Sequence, residues 1–224
     1  GTNHQYMLFF TQKGKCFWMR VYEIPEGSKT AKGRAIQNLI NIEQDDKVKA
    51  FINTQDLKDE EYINSHYVIM ATKKGQVKKT LLEQYSRPRA NGINAITIKD
   101  EDELLEAKLT TGNSQILLAV KSGKAIRFEE DKTRPMGRSA SGVRGITLNG
   151  PSDEVIGMVS VSDSETEILV VSENGYGKRS SLDDYRTTNR GGKGVKTLSI
   201  TDKTGELVSI KNVSDLDDLM IINK

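Results

Sequence analysis

The residues with chemistry to offer in this chain are its cations. Lys78-Lys79 and Lys178-Arg179 form basic pairs, each followed by a polar arm with spaced arginines: Arg87 and Arg89, then Arg186 and Arg190. The last arm ends in Asn189-Arg190-Gly191-Gly192-Lys193-Gly194. Spaced Lys and Arg on polar arms suit a polyanion, because each phosphate they neutralise releases condensed counterions. Adjacent glycines between two cations also let a backbone approach a phosphate closely and expose its N–H groups. The alternative for such a turn is a hairpin that only needs its glycines. A nucleotide P-loop is excluded, since it requires G-x-x-x-x-G-K-[ST] between a strand and a helix. Here Lys193 is followed by Gly194 and an alternating strand.

Other chemistries find little support. The lone Cys16 allows neither an internal disulfide framework nor a cysteine zinc site, and His4 and His66 are too few for a histidine cluster. No acid, base and nucleophile converge, so neither a catalytic residue nor a cofactor is expected. Tyr85 and Tyr185 hold matched positions before their arms; contact with a sugar or phosphate and packing of the arm are both readings, and packing is preferred. Trp18 and Phe17 read as packing, because base stacking would need aromatics that recur along a basic groove. Cys16 reads as inert and His66 as a strand-end residue. The chain has no charged-then-apolar leader and no apolar run near the length of a membrane span, so a cytoplasmic protein with no membrane contact is expected.

The elements that must position these cations come in repeats. Apolar runs start at Tyr6, Tyr67, Gln115 and Glu167, and each reaches a glycine eight residues later: Gly14, Gly75, Gly123 and Gly175. A second glycine follows 19, 17, 19 and 19 residues on, at Gly33, Gly92, Gly142 and Gly194. Alternating strands come next, Ile93–Ile98, Val143–Leu148 and Val195–Ile200, with a longer version, Ala35–Ile42, in the first repeat. Apolar segments close the repeats at Val48–Ile52, Leu104–Leu109, Val155–Val161 and Leu207–Val213. The first run of each repeat is apolar on both faces and should be covered on both sides. No stretch sustains a helical period; Leu81–Tyr85 and Leu182–Tyr185 allow short helical turns at most.

Four strands per repeat predict an all-β fold, a propeller-like array of four-stranded blades with about four complete. One domain over 1–224 is expected, divided at about 6–66, 67–114, 115–166 and 167–217. A further repeat begins at 218–224, and both ends read as cuts in a longer protein. A β-sandwich with evenly spaced strands is the alternative.

The four glycine-to-glycine windows carry +10 between them, whereas the whole chain carries +2, so the remainder is −8. Equivalent positions in a ring of blades lie on one rim, which predicts a positive belt. Its members are Lys15, Arg20, Lys32 and Arg34 in the first repeat, and Lys78, Lys79, Arg87 and Arg89 in the second. The third gives Lys124, Arg127, Arg134, Arg138 and Arg144; the fourth gives Lys178, Arg179, Arg186, Arg190, Lys193 and Lys196. An ordinary solvated surface is the bland reading of any one of them. Their periodicity favours nucleic acid.

Gly175–Gly194 and Gly75–Arg87 resemble repeats of the DNA gyrase A C-terminal domain, in repeat length, glycine positions and basic pairs together. The resemblance covers nearly the whole chain. It implies a β-pinwheel, a propeller-like fold with strands exchanged between neighbouring blades, whose rim binds and bends double-stranded DNA into a wrap. In the parent protein it implies partnership with gyrase B and with a second copy of gyrase A, in ATP-dependent negative supercoiling in the bacterial cytoplasm at the nucleoid. The domain itself would not be catalytic. The family's QRRGGKG box lies in its first blade. Arg190, Gly191, Gly192, Lys193 and Gly194 match its latter part, with Asn189 in place of an arginine, but lie in the last complete repeat. The resemblance therefore places the true box upstream of Gly1. The corresponding C-terminal domain of topoisomerase IV is the related alternative, and a propeller-type protein-interaction scaffold is the alternative from another class.

Overall fold

A computed structural model describes residues 4–162 and 166–222. The first repeat supplies β1 (Tyr6–Thr11), β2 (Lys15–Arg20) and β3 (Val48–Asn53). The second supplies β4 (Tyr67–Thr72), β5 (Gln76–Leu81), β6 (Ile93–Asn94) and β7 (Leu104–Thr110). The third supplies β8 (Gln115–Val120), β9 (Lys124–Glu129), β10 (Val143–Arg144) and β11 (Val155–Val161). The fourth supplies β12 (Glu167–Ser172), β13 (Gly177–Ser181), β14 (Val195–Lys196) and β15 (Leu207–Val213).

The sheets do not coincide with the repeats. Their strand orders are β3-β1-β2-β6, β7-β4-β5-β10, β11-β8-β9-β14 and β15-β12-β13. Each third strand thus leaves its own repeat and pairs, antiparallel, with the second strand of the repeat before it: Ile93 with Cys16, Val143 with Val77, Val195 with Ala125. This is the strand exchange of a β-pinwheel. The closing strands β3, β7, β11 and β15 lie beside one another in succession and line the inner side. The second strands and the exchanged third strands form the opposite, outer edge of each sheet.

The doubly apolar first strands do what their composition demands. Along β4, Val68 and Met70 enter a cluster with Leu8 and Phe10 of the first blade, whereas Ile69 and Ala71 enter a second cluster with Ile116 and Leu118 of the third. Along β8 the alternation repeats, with Leu117 and Ala119 packed against Ile168 and Val170. Burying such aliphatic side chains contributes about 1.5–3 kcal/mol each. Glycine is required where the exchanged strand meets its host. Gly123 has φ +87° and Gly194 has φ +73°. A Cβ on Gly123 would overlap the Leu198 carbonyl oxygen, and one on Gly194 would overlap that of Ala125.

Three expectations need correction. Ala35–Ile42 is not a strand: it forms a 3₁₀ turn at Ile36–Asn38. Among the described residues no second strand precedes β1 to receive it. Instead Ile36, Leu39, Ile40 and Ile42 lie over the free face of the first blade, on Phe9, Phe17 and Met19. The fourth sheet has three strands, not four, since among the described residues none pairs with the outer side of β13. Residues 218–222 of the expected next repeat form no strand, and Asn223 and Lys224 lie outside the described residues. Finally, the polar insertion of the first repeat contains a short helix, α1 (Glu60–Ser65). Asp59 caps it by accepting from the N–H groups of Glu61 and Tyr62 at 3.0 and 3.2 Å, and Tyr62 and Ile63 anchor it in the core.

Candidate nucleic-acid interface

After each second strand the chain makes a 3₁₀ turn, at Leu82–Tyr85, Glu130–Lys132 and Leu182–Asp184 in the last three repeats. The arm then crosses onto the preceding blade. Thr188 N–H donates to the Arg127 carbonyl at 2.9 Å, and Met136 N–H to that of Lys79 at 2.8 Å. Tyr85 and Tyr185 are fully buried and pin these arms. Tyr85 donates its hydroxyl proton to the Ala95 carbonyl at 3.1 Å, and the Tyr185 hydroxyl lies 2.5 Å from Thr197 Oγ1. Both tyrosines are therefore packing residues.

The arms and exchanged strands bring the following predicted cations to the surface: Arg87, Arg89, Arg134, Arg144, Arg186, Lys193 and Lys196 are exposed, as are Lys32 and Arg34 in the first repeat. Lys124 and Arg138 are half-exposed, and Arg138 donates to the Asn94 carbonyl at 3.2 Å. Two clefts lie along the crossing arms. One, of about 200 Å³, is lined by Arg87 and Arg89 from the second repeat, Arg138 from the third, and Glu83. The other, of about 240 Å³, is lined by Arg186, Asn189, Gly192 and Lys193 over β9, with the largely buried Arg127 in its floor. Each offers several cations within reach of one phosphodiester stretch.

Other predicted members are not available. Lys78 is wholly buried; its ammonium donates to the carbonyls of Ala95 and Arg138 at 2.6 and 2.8 Å. Burial, assisted by the nearby Arg138 charge, pushes it down to about 7. Lys79 is 5 % exposed, 3.2 Å from Glu130 Oε1 and 4.4 Å from the centre of the Tyr67 ring. Glu130 is itself fully buried, accepting from Thr110 Oγ1 and the Ser114 N–H at 2.5 and 3.1 Å. Arg127 donates to Gln115 Oε1 and to the carbonyls of Leu182 and Tyr185, at 2.5, 2.8 and 2.9 Å. These three cations join blades instead of facing solvent, so the structure removes them from the belt. Lys15 is paired with Glu43 at 3.1 Å, and the Arg20 guanidinium stacks over Tyr6 at 4.7 Å. Lys178 is exposed at the free edge of the fourth blade; Arg179 beside it pairs with Glu167 and Asp215.

The box-like turn is held by its neighbour. Arg190 donates to the Arg144 and Lys132 carbonyls at 2.6 and 3.2 Å, and Gly191 N–H donates to the Gly145 carbonyl at 2.8 Å. The turn thus offers the Lys193 ammonium outward, while Gly191 has no free N–H for a phosphate and Arg190 is half-buried.

Sequence reading missed Glu130. It stands seven residues after Gly123, where the second and fourth repeats have the buried Leu82 and Leu182. An acid at a leucine position, opposite a lysine on the preceding blade, was the available signal.

Comparison with known proteins decides the family. The model of the DNA gyrase C-terminal domain, beta-propeller, matches residues 5–55, 66–111, 115–162 and 166–214. The chain belongs to the DNA gyrase C-terminal domain family. It is 45% identical over 222 residues to the DNA gyrase A protein of Staphylococcus epidermidis (strain ATCC 12228 / FDA PCI 1200), covering 99% of this chain and 24% of that protein. The chain therefore spans about a quarter of the length of such relatives. Among solved structures, the C-terminal domain of DNA topoisomerase IV aligns with a TM-score of 0.83 at 25% identity, over 95% of this chain and 65% of that one. The DNA gyrase A C-terminal domain aligns at 0.77 and 25% identity, over 96% and 68%.

Proposed function

We propose that this chain binds duplex DNA along its outer edge, without catalysis, and bends it. One observation carries the reading: each of three successive crossing arms carries exposed cations, Arg87 and Arg89, then Arg134, then Arg186 and Lys193. Cations that recur from arm to arm meet a phosphate backbone repeatedly, reading charge and not sequence. Bending about 20–30 base pairs tightly costs on the order of 1–6 kcal/mol, which distributed contacts can offset. The four repeats act in this reading as one domain of a longer polypeptide. In the parent enzyme it works in the bacterial cytoplasm with gyrase B and a second copy of gyrase A, supporting ATP-dependent negative supercoiling.

The test is a salt titration of duplex binding. Arg87→Ala/Arg89→Ala and Arg186→Ala/Lys193→Ala should each reduce the log–log salt slope by up to about two units. Unchanged slopes in both would overturn the reading. The higher TM-score to the topoisomerase IV domain favours a second reading, guidance of DNA segments without a strong wrap. Topology of a nicked circle religated on the protein separates them: a wrap leaves a defined writhe, guidance leaves none.

A further inference from the structure

The cleft that holds Arg87, Arg89 and Arg138 is built on a buried lysine. Glu83 and Ile93 also line it. Lys78, on β5, donates to the Ala95 carbonyl, two residues beyond Ile93, and to the carbonyl of Arg138 itself. The same segments are tied together from other sides. The Arg138 guanidinium donates to the Asn94 carbonyl. Thr97 holds the turn after Arg138, its hydroxyl donating to the Ser139 carbonyl at 2.7 Å and its N–H to that of Ala140 at 3.2 Å. Tyr85, at the head of the arm that bears Arg87 and Arg89, donates to the same Ala95 carbonyl as Lys78 does. Lys78 therefore stands where the three segments that form the cleft meet.

The surroundings suit a lysine that changes charge. Its exposure is 0%. Its two carbonyl acceptors match the two N–H bonds of a neutral amine, and the third proton of an ammonium has no acceptor among the described residues. The charged and titratable groups around it are Arg138 on the third arm, Tyr85 on the 3₁₀ turn and Cys16 on β2. Burial pushes the tyrosine and the thiol upward, so both are neutral near pH 7. Among the described residues no carboxylate pairs with Lys78. Burial and the Arg138 charge both disfavour the ammonium, which brings Lys78 down to about 7. The aligned residues of the first and third blades, Phe17 and Ile126, have nothing to titrate, and Ile126 lines the other cleft.

We propose that Lys78 is a positioning residue for the cleft of Arg87, Arg89 and Arg138, and that its protonation makes the cleft's hold on a phosphate depend on pH. The inference rests on the duplex-binding reading above. A phosphate seated on Arg138 offsets the guanidinium charge that Lys78 feels and adds a negative charge of its own. Lys78 then takes up a proton, and its donations to the two carbonyls become charge-assisted and stronger. The Arg138 backbone is fixed by Thr97, so it does not move away to relax the interaction. Linkage gives the sign: the bound state holds the proton more tightly than the free state. The added affinity is complete below about pH 7, where Lys78 is already charged, and is lost as pH rises through the bound-state value.

The test is binding of a labelled duplex at fixed salt from about pH 6 to 9. In the unaltered chain Kd should rise by about threefold or more with pH and then level off, which corresponds to a shift of about half a pH unit in Lys78. Lys78→Met should bind with a flat profile. His4 and His66 are unchanged in that variant, so a slope that they cause would persist there. Arg87→Ala/Arg89→Ala should weaken binding and shrink the pH dependence, whereas Arg186→Ala/Lys193→Ala should weaken binding and keep it. Should Lys78→Met fail to fold, carbon-13 NMR of the lysine side chains in the unaltered chain decides: the signal that titrates near 7 should move up by about half a unit or more when duplex is added. A flat profile in the unaltered chain, the same slope in Lys78→Met, or a midpoint that duplex leaves in place overturns the linkage while duplex binding stands. Absence of duplex binding at every pH overturns the reading beneath it, and the linkage with it.

Discussion

Trp18 and Arg127 occupy the same position two blades apart and perform the same task. Trp18 Nε1 donates to the Tyr85 carbonyl at 2.9 Å, and Arg127 donates to the Tyr185 carbonyl at 2.9 Å. An indole and a guanidinium have in common only a long flat body with N–H donors at its end. The geometry of the junction, not charge, selects the residue at this place.

Arg127→Ala should therefore act on stability before it acts on any ligand. It leaves the Leu182 and Tyr185 carbonyls without their donor, at a cost of about 2–4 kcal/mol. Urea unfolding measures this. Arg127→Lys should recover only part of it, because one ammonium cannot serve Gln115 and both carbonyls in the same geometry. A stable Arg127→Ala protein with a reduced salt slope would return Arg127 to the belt.

The Lys79–Glu130 pair should behave as a buried ion pair does. Glu130→Leu restores the residue type of the sister repeats yet strands Lys79, and should cost about 3–5 kcal/mol. Adding Lys79→Met should remove most of that penalty. A thermal double-mutant cycle gives both numbers, and additive effects would show that the two side chains are uncoupled.

Lys78 predicts an unusual pH dependence. Its folded value is about 7 against 10.5 for an ordinary lysine, so between those values the unfolded chain binds the extra proton. Stability should then rise with pH above about 7, at up to about 1.4 kcal/mol per pH unit. Burial pushes the Cys16 thiol and the Tyr85 hydroxyl upward, which opposes the rise once the unfolded chain ionises near their ordinary 9.0 and 10.0. Lys78→Met should flatten the rising limb of the melting temperature between about pH 7 and 9. A limb identical in both proteins would sink the assignment.

The two cations of the box-like turn should separate cleanly. Lys193→Ala should lower the salt slope by about 0.9 with an unchanged melting temperature. Arg190→Ala should lower the melting temperature, since it unties the turn from Arg144 and Lys132. Matched effects of the two substitutions on slope alone would mean that Arg190 also faces the ligand.

Much of the fold was legible. Glycine spacing located the repeats, and the doubly apolar first runs became strands paired on both sides, those of the first three repeats with one face in each of two clusters. The short helical turns at Leu82–Tyr85 and Leu182–Asp184 fall where apolar pairs interrupt the strand pattern. The exchange of third strands is not written in local pattern, because Val143 alternates in the same way whichever sheet it joins. Ala35–Ile42 shows the same limit: an alternating segment becomes a strand only where a host edge exists. At the interface the arms read correctly, whereas Lys78 misled because a lysine was taken for a surface residue. Aligned with Phe17 and Ile126, at 3% and 1% exposure, it stands at an apolar place.

The exchanged third strand also governs what can be removed. The unit that recurs along the chain and the unit that folds are out of phase, so deleting one repeat does not delete one blade. Excising 115–166 would take away β8, β9 and β11 and also strip β10 from the second sheet, while orphaning β14. No pair of cuts avoids this: the second sheet runs from β4 to β10, and β6 of the first sheet and β8 and β9 of the third lie between those ends. Gain or loss of a repeat over evolutionary time therefore requires that the exchanged strand of one repeat fit the host edge of another.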